Sequence, residues 1–192
     1  MKDLQYVSFA LIFLLMSSMS GKSQEKKISA QFYNSGFALG HDTYNAISAA
    51  SNGKIYYVLS SQSIDTGGMM YSFDPASGKI AFCGDITEAC GEKGTKSISQ
   101  GKSHVRFVEA TGKLYCATHA GYYSMVDGME KMGIPPAGYK PYPGGHFLSY
   151  DLKSGHFEDL AIAPHNEGIL TMNMDTSRGM IYAITWPTGY FI

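Results

Sequence analysis

Apolar and β-favouring residues in this chain occur in short runs, each closed within a few positions by Gly, Asp or Asn. That is the pattern of strands joined by tight turns. Four runs in series make a first unit: Ala46–Ala50, Lys54–Ser60, Met69–Asp74 and Lys79–Cys83. Four more make a second: His104–Glu109, Lys113–Thr118, His146–Asp151 and His156–Leu160. A third begins with Ile169–Met174 and Met180–Thr185. We denote the strands of each unit A, B, C and D, and their order predicts antiparallel meanders.

The units repeat one another. The segment from Gly67 to Ile80, Gly-Gly-Met-Met-Tyr-Ser-Phe-Asp-Pro-Ala-Ser-Gly-Lys-Ile, aligns without a gap on the segment from Gly144 to Phe157. In both, an aromatic–Asp pair ends a strand, Asp caps a turn through its side chain, and Gly takes the positive-φ position. The B-strand starts Gly53-Lys54-Ile55-Tyr56, Gly112-Lys113-Leu114-Tyr115 and Gly179-Met180-Ile181-Tyr182 also correspond. Gly189-Tyr190-Phe191-Ile192 falls on the register of Gly68 and Gly145, where a third C strand would start. Four-stranded units in series are the signature of a β-propeller. The competing arrangement is a single antiparallel sandwich. The spacing of Gly53, Gly112 and Gly179 exceeds the roughly 40–50 residues of a compact blade. The excess lies in two insertions, Gly84–Ser103 and Gly121–Pro143.

On these motifs the chain resembles the broad β-propeller class of Kelch-like, YVTN-like and quinoprotein-like repeats. It lacks the Trp-Asp signature of WD40 blades. The resemblance covers about residues 40–192 and implies architecture rather than activity. The expected fold is all-β, a partial β-propeller of about two and a half four-stranded antiparallel blades, truncated in mid-blade at Ile192.

At the N-terminus, Lys2 precedes an apolar run from Tyr6 to Met16, followed by small residues and the charged stretch from Lys22 to Lys27. This order reads as a signal peptide, too short in its apolar part to span a bilayer. The expected organisation is a signal peptide over 1–23, a lead-in over 24–40 and a propeller domain over 41–192. The mature chain then has no transmembrane segment and is secreted or periplasmic. A net charge of −1 provides no field for nucleic acid. Export permits disulfides. Of the three cysteines, Cys83 and Cys90 bracket a short loop and form the candidate pair, and Cys116 reads as a small core residue.

In a propeller, A-strand starts, B-strand ends, C-strand starts and D-strand ends share one face. His41, His104, His119, His146 and His165 all map to that top face, and His156 to the opposite one. Tyr44, Tyr122, Tyr123, Tyr139, Tyr142, Trp186 and Tyr190 map there too, with the 121–143 insertion as a lid. Each also has a structural reading: His41 as a turn residue beside Asp42, His165 as a loop residue, His146 as a strand residue bonded to a neighbouring blade, the tyrosines as packing. Two functions fit the cluster. One is a binding or scaffold protein that takes carbohydrate or a protein partner, with His41, His146, His165, Tyr139, Tyr142, Trp186 and Tyr190 as contacts. The other is a polysaccharide lyase acting on a uronate-containing glycan. There Tyr122 or Tyr123 is base or acid, His104 and His119 surround the uronate, and Arg106 neutralises its carboxylate. A divalent metal is a further option, held by the histidines with Asp42, Asp127 or Glu167.

Overall fold

The structure is a computed structural model that describes residues 28–192. The signal-peptide motif, residues 1–23, lies outside the described residues. Residues 28–34 belong to a first unit, carry no regular secondary structure and are exposed; the body of the fold is residues 35–192.

That body is all-β. Strands β1 (Ile47–Ala49), β2 (Ile55–Leu59), β3 (Met69–Asp74) and β4 (Lys79–Asp85) form one antiparallel sheet in sequence order. Strands β5 (Val108–Ala110), β6 (Lys113–Ala117), β9 (His146–Asp151) and β10 (Phe157–Ile162) form a second with the same connectivity. Strands β11 (Gly168–Asp175) and β12 (Met180–Trp186) form a third, two-stranded sheet. Against β12, Phe191 bridges Ile184, and Ala183 and Ile192 exchange backbone hydrogen bonds of 2.8 and 2.9 Å.

The register is shared by all three sheets. The residue five after each B-strand turn glycine is Val58, Ala117 or Ile184; it faces Met70, Phe147 or Phe191, two after the glycine that precedes C. The C–D turn is likewise repeated. Gly78 N donates to Asp74 O at 2.8 Å and Gly155 N to Asp151 O at 2.9 Å, with φ of 67° and 73° at the glycines. The Asp side chains cap these turns by accepting from Ala76 N and from Ser154 N.

Burial follows the position of a strand in its sheet. The middle strands bury alternate residues: Tyr56 and Val58 on β2, Leu114 and Cys116 on β6. These join Met70, Leu148, Ile169 and Ala183 in one cluster that runs through all three sheets. Of the outer strands, β10 is largely exposed and β4 is half-buried.

The sheets are joined by a hydrogen-bonded device that occurs twice. Gln100 O accepts from Gly68 N (2.9 Å) and Glu167 O from Gly145 N (2.8 Å), each tying a unit to the C-strand glycine of the unit before it. Their side chains turn back into their own units. Thr118 Oγ1 donates to Gln100 Oε1 and accepts from His146 N, both close to 2.7–2.8 Å. Thr185 Oγ1 donates to Glu167 and accepts from Tyr190 N at 3.0 Å. All four of Gln100, Glu167, Thr118 and Thr185 are buried, so the pairing satisfies groups that water does not reach.

Three elements depart from the expected pattern. The first insertion is not a plain loop: it contains helix α1 (Ile86–Ala89), capped by Asp85, whose carboxylate accepts from Thr87 N and Glu88 N. The second folds into a hairpin, β7 (Tyr123–Val126) and β8 (Met129–Met132), around Asp127-Gly128, both at positive φ. Strand A of the second unit starts at Val108 rather than His104. Upstream of it Phe107 N leaves the sheet to donate to Ser48 Oγ of the first unit (3.1 Å), and only Lys102 and His119 continue the ladder as an isolated bridge.

The expected Cys83–Cys90 disulfide is absent; both are free thiols, as is Cys116. Cys83 sits on β4, whereas Cys90 ends α1 and is buried in the core.

Candidate functional site

Where the A strands begin and the B strands end, a cleft of about 400 Å³ opens. Its walls come from all three units. Tyr44 precedes β1, and Lys102 and His104 precede β5. His119 follows β6, Tyr123 and Glu130 come from the hairpin, and Leu170 and Trp186 come from β11 and β12. The His104 and His119 rings lie 4.5 Å apart, and Tyr44 stacks on His104 at 4.2 Å. Trp186 lies 5.8 Å from His119 and 6.2 Å from Tyr123. The Lys102 ammonium sits 5.3 Å from the Tyr44 ring and 5.4 Å from the Tyr123 ring, a cation–π arrangement on both sides.

Local structure explains these positions. Two backbone bonds between Lys102 and His119, of 2.9 and 2.7 Å, fix the two segments side by side. Gly168 packs against the His119 ring; a Cβ there would stand 2.5 Å from Cδ2. His119 Nδ1 is within reach of Ala120 O (3.2 Å) and Tyr123 Oη (3.3 Å), so those two groups govern where the ring carries its proton. His104 Nε2 is buried and has no protein hydrogen-bond partner, and the same holds for Asp42 Oδ1. The other Asp42 oxygen is 3.8 Å from Lys102 Nζ. That exceeds hydrogen-bond length, so the ammonium keeps donors for a ligand.

Burial sets the protonation of these groups. Desolvation, reinforced by the Lys102 charge, brings His104 down to about 4. Desolvation and the neighbouring His104 bring His119 to about 4 as well. Both imidazoles are therefore neutral at neutral pH. Desolvation and the nearby Tyr44 push the Tyr123 phenol well up, so it stays protonated. The cleft holds two neutral imidazoles, a protonated phenol and a lysine, with Glu130 also in its lining, a set of groups of the kind used in acid–base chemistry.

Of the residues expected at the site, His104, His119, Tyr123 and Trp186 converge here. Tyr122 turns the other way and packs against the small cluster of Ile98, Ala120 and Tyr142. Arg106 is exposed and lines an adjoining cleft. His146 is a buried clamp, with Nδ1 2.9 Å from Asp159 and Nε2 2.9 Å from Glu92. Burial opposes its charged form, but the bonds to the two carboxylates outweigh burial and raise its pKa. Tyr142 is fully buried and donates to Gln100 Oε1 (2.7 Å). Tyr139 donates to Asp65 (2.6 Å). His41 pairs with Asp42 at the surface (3.3 Å), and His165 and Tyr190 pack on each other at 5.2 Å. None of these eight lines the cleft. The proposed metal set does not assemble either: Asp127 forms the hairpin turn, and Glu167 is occupied by Thr185 and Thr188. Among the described residues no group of His, Cys, Asp and Glu is arranged to hold a metal ion, and no helix is long and apolar enough to cross a membrane.

Lys102 and Tyr44 also stand in the cleft: Tyr44 was expected among the aromatics of this face, and Lys102 is the basic residue two before His104.

Fold and cleft together define an all-β chain of antiparallel sheets, two of them four-stranded, with a cleft lined by two imidazoles, a phenol and a lysine at the strand ends. The chain matches no protein-family model, and no curated protein matches it.

Proposed function

We propose that this is an exported β-propeller-class protein whose cleft cleaves a uronate-containing polysaccharide by β-elimination. The observation that carries the reading is the convergence of two neutral imidazoles, a protonated phenol and a lysine in one partly enclosed cleft. Lys102 pairs with the uronate carboxylate and stabilises the charge that builds as the C5 proton leaves. His104, a neutral imidazole in the cleft lining, takes that proton. The C4–O4 bond breaks as the C4=C5 double bond forms, and the Tyr123 hydroxyl protonates the departing O4. Solvent then reprotonates Tyr123 and deprotonates His104, which completes the cycle. His119 holds the Tyr123 hydroxyl at 3.3 Å.

A binding role without turnover is the second reading, favoured by the Tyr44 ring, which is 52% exposed at the cleft mouth and presents a flat face to a sugar. One assay separates the two. Incubation with a panel of acidic polysaccharides yields ultraviolet-absorbing unsaturated ends if the cleft is a lyase, and Tyr123→Phe removes them. Retention of a polysaccharide with no such product leaves the binding role alone standing.

A further inference from the structure

A second cleft, of about 340 Å³, adjoins the first and is lined by Tyr44, Asn45, Ile47, His104, Arg106 and Thr171, among others. The stacked Tyr44 and His104 rings line both clefts and so divide them. We propose that this second cleft is an anion-binding subsite in which Arg106 takes the carboxylate of a neighbouring sugar, so that the protein grips a polyuronate along its length with one acidic unit in each cleft. The proposal rests on the uronate reading of the first cleft.

Three features carry it. Arg106 is exposed and makes no hydrogen bond or ion pair among the described residues, leaving its planar five-donor fork free for a carboxylate. Among the described residues no acidic side chain lines this cleft, and Arg106 is the one charged residue in its lining; the first cleft, by contrast, has Glu130 at its wall. Asn45 and Thr171 add neutral donors and acceptors of the kind that meet sugar hydroxyls. The shared Tyr44–His104 partition then lies where the linkage between two sugar units would cross. Arg106 thereby moves from the reaction centre, where the sequence placed it, to substrate binding.

The test is calorimetric binding of oligogalacturonates and oligoguluronates of one to six units to the full chain, alongside the polysaccharide turnover assay. The expected result is that affinity rises between one unit and the length that reaches both clefts. Arg106→Gln should remove that gain, weakening the longer oligomers about tenfold while leaving the monouronate unchanged, and Arg106→Lys should restore part of it. Because Arg106 is exposed, both variants should melt as the parent does. A length-dependent gain that survives Arg106→Gln overturns the subsite, as does an equal loss for monomer and oligomer. Failure to bind any length also overturns it. Binding with the expected Arg106 dependence but no unsaturated product would keep the subsite and reject the lyase.

Discussion

At the cleft, burial has opposite consequences for neighbouring groups. It keeps His104 and His119 neutral and keeps the Tyr123 phenol protonated, so acid and base forms coexist at one pH. Turnover should therefore be flat with respect to these imidazoles through neutral pH and fall as acid protonates them near their values of about 4, which a pH–rate profile will show. Folding stability is linked to the same groups. Their folded values lie below the ordinary 6.5, so between about 6.5 and about 4 the unfolded chain binds more protons and stability declines as pH falls. His146 runs the other way: its raised value gives a contribution present below 6.5 and lost as pH rises through the folded value. Thermal melts of His104→Gln and His119→Gln should show a flatter acid slope than the parent. Gly168→Ala should push a methyl group into the His119 ring and depress turnover at least tenfold, measured in the unsaturation assay with melting as the control.

Among the elements, the repeated Thr–Gln and Thr–Glu pairings organise the joints between sheets. Thr118→Val leaves Gln100 Oε1 with one donor fewer and His146 N with none, and should cost about 2–4 kcal/mol in urea denaturation. Thr185→Val is the matched control at the second joint. None of this was legible in the chain, because Gln100 and Glu167 are single polar letters in loops and their partners lie in other strands. Strands β2, β3, β6, β9, β11 and β12 were legible, since turn glycines and Asp caps bound them closely on both sides. The short β5 was overextended at its start because its apolar residues continue into a segment that packs on the first unit instead. The hairpin β7–β8 was missed although Asp127-Gly128 is a strong turn signal, obscured by the Gly- and Pro-rich stretch that follows. Half of the site could be read from strand order, which sends His104, His119 and Trp186 to one set of strand ends. Lys102 could not be assigned, because its place between two tyrosine rings depends on how separate units meet.

For the whole molecule, three sheets in one register share a continuous core, and the outer strand β10 faces solvent. That core shields Cys90 and Cys116 and pushes both thiols up in pKa, mainly by desolvation. Thiol titration of unreduced protein should count three thiols after denaturation, with only Cys83 reacting readily in the folded state. A count of one after denaturation would restore the Cys83–Cys90 bond. The ring pair between the clefts has a mechanical consequence. One ring belongs to the first unit and the other to the second, so the partition is a bulkhead riveted to two separate plates. Any tilt of one plate against the other has to slide Tyr44 across His104, so a single ring contact sets the width of both chambers.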